Sequence, residues 1–338
     1  MRSLIIRIVK QMHNDKRSLA IILIAPILIM SLLFLLLGES SYVPSIGIDP
    51  SFKGKVLEAL EEQNVKIISL KEDTDIDAFL EENGADAVVS MGNDGISIRM
   101  LEENSTKASK ITDALKNAIE KINPAGGMNM SFVYGKSNAT MFNSLGYILI
   151  GFISFFFVFI ISGMSFVRER TTGTMERLML TPISRIGLVA GYTVGYGIFA
   201  ALQSILIILF TKYVLHMEYA GSVLLAMLIM ILLSFTAVLV GALVSIFANS
   251  EFQVMQFIPI VIIPQFFFSG LIPIDTLPFG LGKLAYIMPI YYGCSSLQEV
   301  LIKGRGIEHI WGYLGILAAF IIVLLIVNTE ALRKYRRL

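Results

Sequence analysis

Long apolar runs alternate with short polar ones along most of this chain. Six runs, at about 19–37, 145–167, 187–211, 222–248, 252–274 and 310–329, contain no Asp, Glu, Lys or Arg. The hydrocarbon core of a bilayer requires about 20 mainly apolar residues per crossing helix, so each run predicts one span. Between the first and second runs the pattern changes. Residues 39–143 carry ten Lys or Arg against seventeen Asp or Glu, and short β-rich stretches alternate with helical ones, as in a small soluble domain.

In that stretch, Ser45–Ile48, Val65–Leu70, Ala87–Met91 and Gly95–Leu101 read as strands, and 53–63, 75–82 and 105–122 as helices. Gly92-Asn93-Asp94-Gly95 reads as a hairpin turn, since these residues tolerate positive φ. The alternation predicts an α/β domain with a modest core. Composition agrees with membrane residence for the rest, at 55% hydrophobic and 16% charged. The expected fold is a polytopic α-helical membrane protein, with six transmembrane helices and an extracytoplasmic α/β domain inserted between helices 1 and 2.

Basic residues supply the orientation, because Lys and Arg flanking a span stay on the cytoplasmic side. Arg2, Arg7, Lys10, Lys16 and Arg17 precede the first run; Arg168, Arg170, Arg177 and Arg185 follow the second; Arg333, Lys334, Arg336 and Arg337 follow the sixth. All three clusters fall on one side of a six-span arrangement. The expectation is a multi-pass protein of the cell membrane with both termini, including the basic tail 331–338, in the cytoplasm. No small-residue cleavage site follows Leu37, so the first run reads as a retained helix, 19–37. Ahead of it, Ile5, Ile8, Val9 and Met12 recur at helical spacing among basic residues. Residues 1–18 therefore read either as an amphipathic helix lying on membrane lipids or as the basic flank of a span.

Motifs for chemistry are missing. The chain has no Gly-x-x-x-x-Gly-Lys-Ser/Thr phosphate loop and no His-Glu-x-x-His, its three histidines are scattered, and Cys294 is its single cysteine. ATP hydrolysis, metal chemistry and disulfide chemistry are thus not expected on this chain, and no metal or cofactor is expected to bind it. The basic residues follow topology, so nucleic acid is not an expected partner. The spans also lack the ionisable groups with which ion-coupled transporters carry a proton or cation. A transporter built this way draws its energy from elsewhere, and its apolar spans suit a lipidic or amphipathic cargo.

Two segments stand out. Residues 168–185, RERTTGTMERLMLTPISR, favour a short helix from Thr174 to Leu180 that Pro182 stops, with Met175, Leu178 and Met179 on one face and Glu169, Arg170, Glu176 and Arg177 around it. The same residues also read as a positive-inside loop lying on the lipid surface. Residues 271–303 are apolar but broken. Pro259, Pro264, Pro273, Pro278 and Pro289 are half of all the prolines, which predicts one or two short re-entrant helices at the outer side. Gly187, Gly191 and Gly195, four apart, allow close helix approach in the third span.

These features together resemble the type-2 ABC transporter permeases, over nearly the whole chain. Arg168 to Leu178 (RERTTGTMERL) with Thr181-Pro182-Ile183-Ser184 is similar to that family's cytoplasmic coupling segment. Phe268-Ser269-Gly270-Leu271-Ile272-Pro273 with Leu277-Pro278 resembles its outer re-entrant signature. Members often carry an aromatic after the Leu-Pro pair, and here Phe279 is followed by Gly280. The resemblance implies a permease domain over 145–330, powered by a separate ATP-binding subunit that holds ATP and Mg, and paired with a second permease copy or a homologous permease. It implies ATPase coupling through Glu169, Arg170, Thr172, Gly173, Thr174, Met175, Glu176, Arg177, Leu178 and Met179. It implies an outer re-entrant gate at Ser269, Gly270, Pro273, Pro278 and Pro289. The large insert resembles that of the drug- and lipid-export branch, so the implied cargo is a drug, antibiotic, peptide or lipid. A competing reading makes the chain a surface receptor or scaffold that works through 39–143 without transport.

Overall fold

The computed structural model describes residues 1–37, 43–49, 60, 63, 65–70, 76, 79–80, 85–92, 95–100, 111–112, 114–118, 141–272, 274 and 277–335. The chain divides into two compact units, 40–131 and the remainder.

In the smaller unit, β1 (Ser45–Ile48), β2 (Lys66–Ser69), β3 (Ala87–Gly92) and β4 (Gly95–Met100) form one sheet in the order β2-β1-β3-β4. The two pairings of β1 are parallel, with Ile46 opposite Ile67 and Ala87, whereas β3 and β4 are antiparallel with Val89 opposite Ile98. Strand alternation sends side chains to both faces. Ile46, Ile48, Ala87 and Val89 pack with the helical residues Leu60, Ile111 and Leu115 on one face, while Val88 packs with Phe79 and Leu80 on the other. Gly47 leaves room for the second layer, since a β-carbon there would lie within 3 Å of Leu70, Phe79 and Val88. Gly92 pairs with Gly95 across a two-residue connection, and Asn93 and Asp94 of the expected turn lie outside the described residues.

Among its described residues the larger unit contains six helices long and apolar enough to cross a membrane. They are α2 (Lys16–Leu37), α3 (Met141–Thr171), α5 (Arg185–Tyr213), α6 (Val223–Ser245), the composite helix 251–271, and α10 (Ile307–Tyr335). The composite helix is built in pieces: α7 (Glu251–Gln256), α8 (Ile258–Phe266) and a π turn (Phe267–Leu271). Pro264 supplies no N–H to the helix ladder, and Gly270 turns left-handed at φ 99°, so the sequence run ends earlier as a helix than its hydropathy implies. The helix α10 carries on through Tyr335, into what reads in the sequence as the basic tail, and residues 336–338 lie outside the described set.

Two further helices shape the packing of this unit. The first, α1 (Arg2–Asn14), buries Leu4, Ile8 and Met12, one residue per turn of a single stripe. That stripe lies on α5, where a β-carbon at Gly191 would come 2.6 Å from Leu4 and one at Gly195 2.7 Å from Ile8. The glycine spacing does permit close helix approach, but the helix that approaches is the amphipathic N-terminal one. Gly187 serves differently, donating its N–H to the cap residue Ser184.

The second is α9 (Pro289–Leu301), which follows a 3-10 segment, Pro278–Ile287. These two pieces occupy the interval expected to hold re-entrant helices. Ten of the thirteen residues of α9 are buried, so it is a core helix despite its length. Cys294 sits against Gly151 of α3, and Gly293 against Leu233 of α6. Gln265 of α8 accepts the backbone N–H of Ile290 at 3.3 Å, meeting one of the orphan donors at the start of α9. Elsewhere the apolar core is crossed by a thin polar seam, in which Ser234 of α6 lies 2.6 Å from Ser204 of α5 and 3.4 Å from Ser154 of α3.

Replacing Gly195 by Val should displace α1 from its seat at a cost of about 1 to 3 kcal/mol, the usual penalty for overpacking. Hydrogen exchange across residues 2–14 reads the loss of protection; unchanged exchange would show that α1 is held by other means.

Candidate functional site

The polar connection between α3 and α5 is a compact structure. Helix α3 runs on past its apolar run to Thr171, and the Thr172 hydroxyl donates to the Arg168 carbonyl at 2.8 Å. Gly173 then adopts φ 69°, a left-handed conformation open to glycine at little cost, and α4 (Thr174–Met179) starts in a new direction. Arg177 reaches back to the Thr172 carbonyl at 3.1 Å, which ties the short helix to the turn. The Thr181 hydroxyl closes on Leu178 O, and Ser184 caps α5.

Beneath this connection lies a buried charge. Glu169 is 2% exposed, and its carboxylate accepts from Arg7 at 2.8 Å, Gln11 at 2.8 Å and the Tyr192 hydroxyl at 2.7 Å. The Arg7 guanidinium also donates to the Tyr192 oxygen at 2.8 Å. One carboxylate thus draws α1, α3 and α5 together, beside Tyr196 stacked on Tyr192 and Phe166 tilted against both. Partial burial works against the Arg7 charge, but Tyr192 and Glu169 outweigh it and hold its pKa above the ordinary arginine value. Arg170 points the other way, donating to the backbone carbonyls of Ser245 and Ala248, so it caps the carbonyl end of α6. Arg168 bonds Asp15 at 3.1 Å and approaches Glu251 at 3.9 Å.

The residues singled out from the sequence therefore divide. Glu169 and Met175 face inward, and Leu178 and Met179 are half-buried against the bundle. Thr172, Glu176 and Arg177 are exposed, while Gly173 and Thr174 are partly so. The apolar ridge of Met175, Leu178 and Met179 fastens α4 to its own chain. The apolar side chain it presents outward is Leu180, at 84% exposure. Sequence periodicity placed Leu180 at the end of the expected helix but off the ridge of Met175, Leu178 and Met179, whereas the helix ends at Met179 and leaves Leu180 as its cap residue. Periodicity also missed Phe247, exposed on the neighbouring connection between α6 and α7, and Phe252, exposed in the first turn of α7, because both sit at the edges of apolar runs that read as span. Arg170 places that connection beside this one.

At the other end of the spans, Ser269 is buried and its hydroxyl closes on Phe266 O at 2.6 Å, while a β-carbon at Gly270 would lie 4.0 Å from the Tyr147 hydroxyl. Pro278 opens the 3-10 segment and Pro289 opens α9; Pro273 lies outside the described residues.

A family profile described as "ABC-2 family transporter protein" matches residues 16–329. The chain belongs to the ABC-2 transporter family. Among similar proteins, ABC transporter G family member 23 of Dictyostelium discoideum is 23% identical over 94% of this chain and 50% of its own length. ABC transporter G family member 20 of the same organism is 23% identical over 68% of this chain and 31% of its own length. The probable multidrug ABC transporter permease YbhR of Escherichia coli is 25% identical over 49% of this chain and 45% of its own length. The chain thus spans about a third to a half of the curated relatives it matches. Family and spans together make it a multi-pass membrane protein of the ABC permease type.

Glu169→Leu should cost about 2 to 3 kcal/mol, because Arg7, Gln11 and Tyr192 lose a charged acceptor; adding Arg7→Met should recover part of this by removing the stranded cation. Thermal unfolding of the two variants in detergent checks both, and additive losses would refute the coupling. A second expectation concerns Asp15. Slight burial opposes its charge, but the N–H and hydroxyl of Ser18 and the Arg168 guanidinium prevail and hold its carboxyl below the ordinary carboxylate range. Stability from Asp15 is therefore complete above its unfolded pKa, about 3.9, and fades as pH falls through the lower folded value. Asp15→Asn should lie below the parent in melting temperature by a constant margin at neutral pH, and the margin should close in acid.

Proposed function

We propose that the chain is the membrane-spanning subunit of an ATP-driven exporter, coupled to a separate ATP-binding subunit through the connection between α3 and α5. The observation that carries the reading is the outward face of that connection. Glu176 and Arg177 are exposed on a short helix, with Leu180 exposed just past its end, while Met175 of the same helix is anchored in the bundle. A force applied to α4 reaches α3 directly through Arg177 and Thr172. It reaches α1 and α5 through the buried carboxylate of Glu169. The connection can therefore move three helices as one body when a partner closes on ATP and Mg²⁺.

The basic clusters support a cytoplasmic position for this connection and both termini, which puts residues 39–143 outside the cell. The absence of a phosphate loop from the sequence supports hydrolysis on another chain. Two permease copies, or this one and a homologue, would flank a path for an amphipathic or lipidic cargo such as a drug, antibiotic, peptide or lipid, moved outward. The probable multidrug permease among its relatives fits this cargo class.

Burying a leucine at an interface contributes about 1.5 to 3 kcal/mol, so Leu180→Asp should lower recovery of a co-purifying ATP-binding subunit at least about tenfold. Glu176→Lys should leave insertion intact and weaken the coupling of ATP hydrolysis to export. Mass spectrometry of the complex from native membranes, with ATPase assays, tests both. A chain that purifies without any phosphate-loop protein, with Leu180→Asp fully active, would shift the reading to a receptor or scaffold working through 39–143.

A further inference from the structure

The 3-10 segment Pro278–Ile287 shows an arrangement that the coupling reading does not use. A 3-10 helix repeats every three residues, so side chains at i and i+3 eclipse one another. Gly282 and Ala285 form the one buried row, with Gly282 against the backbone of Ile274. Leu281, Leu284 and Ile287 form a second row, all exposed; Lys283 and Tyr286 form the third, also exposed. Two of three faces are thus open, one wholly apolar and one made of side chains with apolar bodies and polar tips.

The position of the segment follows from its neighbours. Its end joins α9, whose first turn is pinned to Gln265 in the middle of an apolar span. The far end of α9 is polar: Leu301 O accepts from Ala220 N at 2.9 Å, and Glu299 pairs with Lys303 and with Arg305 at 2.7 Å. Gln265 precedes the end of the composite helix at Leu271 by roughly 9 Å of helix, so Ile287, close to Ile290 in the chain, lies inside an apolar slab about 30 Å thick. Seven residues of 3-10 helix, 281–287, can cover about 14 Å, enough to bring the start of the segment, where Phe279 and Gly280 leave helical geometry, back near the boundary. Phe279 is 97% exposed and has φ 57°, next to Gly280 at φ 70°. A bulky residue in that region is a strained exception, and here it turns an aromatic ring outward. Tyr213 and Trp311, at the ends of α5 and α10 on the same side, are exposed as well.

We propose that Pro278–Ile287 is a lipid-contacting element, with Leu281, Leu284 and Ile287 against acyl chains and Phe279, Lys283 and Tyr286 reaching toward headgroups. The distribution of exposed residues identifies the occupant. A second protein copy covers one face, whereas fluid lipid solvates two faces at once and is continuous with the lipid around the adjoining spans. The backbone tolerates this place because its hydrogen bonds are internal, and the Tyr292 hydroxyl donates to Tyr286 O at 2.9 Å. Lys283 has a stem long enough to carry its ammonium toward the surface.

Trp311 is the only tryptophan, so W311F gives a silent background. On it, Leu284→Trp, Ile287→Trp and Phe279→Trp are introduced singly in the full chain, in phosphatidylcholine nanodiscs. Lipid brominated midway along its acyl chains should quench the first two severalfold more than aqueous iodide does. At Phe279→Trp, lipid brominated near the headgroup should quench more than lipid brominated midway. Quenching of Leu284→Trp and Ile287→Trp by iodide alone would overturn the proposal in favour of a water-facing segment. Bromolipid quenching that disappears when two copies share a disc would overturn it in favour of a protein contact. Using two neighbouring exposed sites keeps the test intact if one variant fails to fold.

Discussion

A carboxylate withdrawn from water governs this structure. A carboxylate buried like Glu169 needs donors to replace its lost hydration, and those donors come from α1 and α5, neither adjacent to it in sequence. Satisfying one charge therefore fixes the meeting point of three helices. The rest is consistent with that junction: Gly191 and Gly195 lower α1 onto α5 far enough for Arg7 and Gln11 to reach, and the left-handed turn at Gly173 releases α4 just beyond it. Rigidity below and exposure above are what a mechanical contact requires.

A second carboxylate stands at the opposite end of the spans. Glu299 is held by Lys303 and Arg305, and with the Ala220 to Leu301 bond it fastens the exit of α9 to the connection after α5. The interior between the two ends is packed by shape, with glycines admitting Cys294 and Leu233, and with a few serines sharing hydrogen bonds. Polar chemistry thus marks the two boundaries, and the middle relies on fit. Removing a boundary group would release a junction, whereas removing a packing group would open a local gap.

The six spans were legible because an uncharged apolar run of about 20 residues matches the thickness of a bilayer and little else. The strands of the smaller unit were legible because their alternation is regular, and so was the α4 stop at Pro182. Other features were hidden by chemistry that reads the same in two settings. Glu169 lies in a run of charges that suggests a wet surface, and only its distant partners reveal a dry one. Met175, Leu178 and Met179 show an amphipathic face, yet periodicity does not state whether the apolar side meets another chain or its own. Phe247 and Phe252 were lost among residues that hydropathy assigns to the membrane, and Leu180 was lost as the end of the expected α4 helix, off its apolar ridge. The prolines after residue 258 signalled interruption without indicating that α9 would become one of the most buried helices.

The long reach of the Arg7 to Glu169 bond bears on how the protein is made. The partners are 162 positions apart, and at roughly 5 to 20 residues per second Arg7 leaves the ribosome about 10 to 30 s before Glu169 exists. During that interval Leu4, Ile8 and Met12 have no seat, because Gly191 and Gly195 are made later still. Helix α1, made before the spans that receive it, is accordingly among the last elements of this unit to reach its final place. Its docking records that the second and third spans have both entered the membrane in the correct sense.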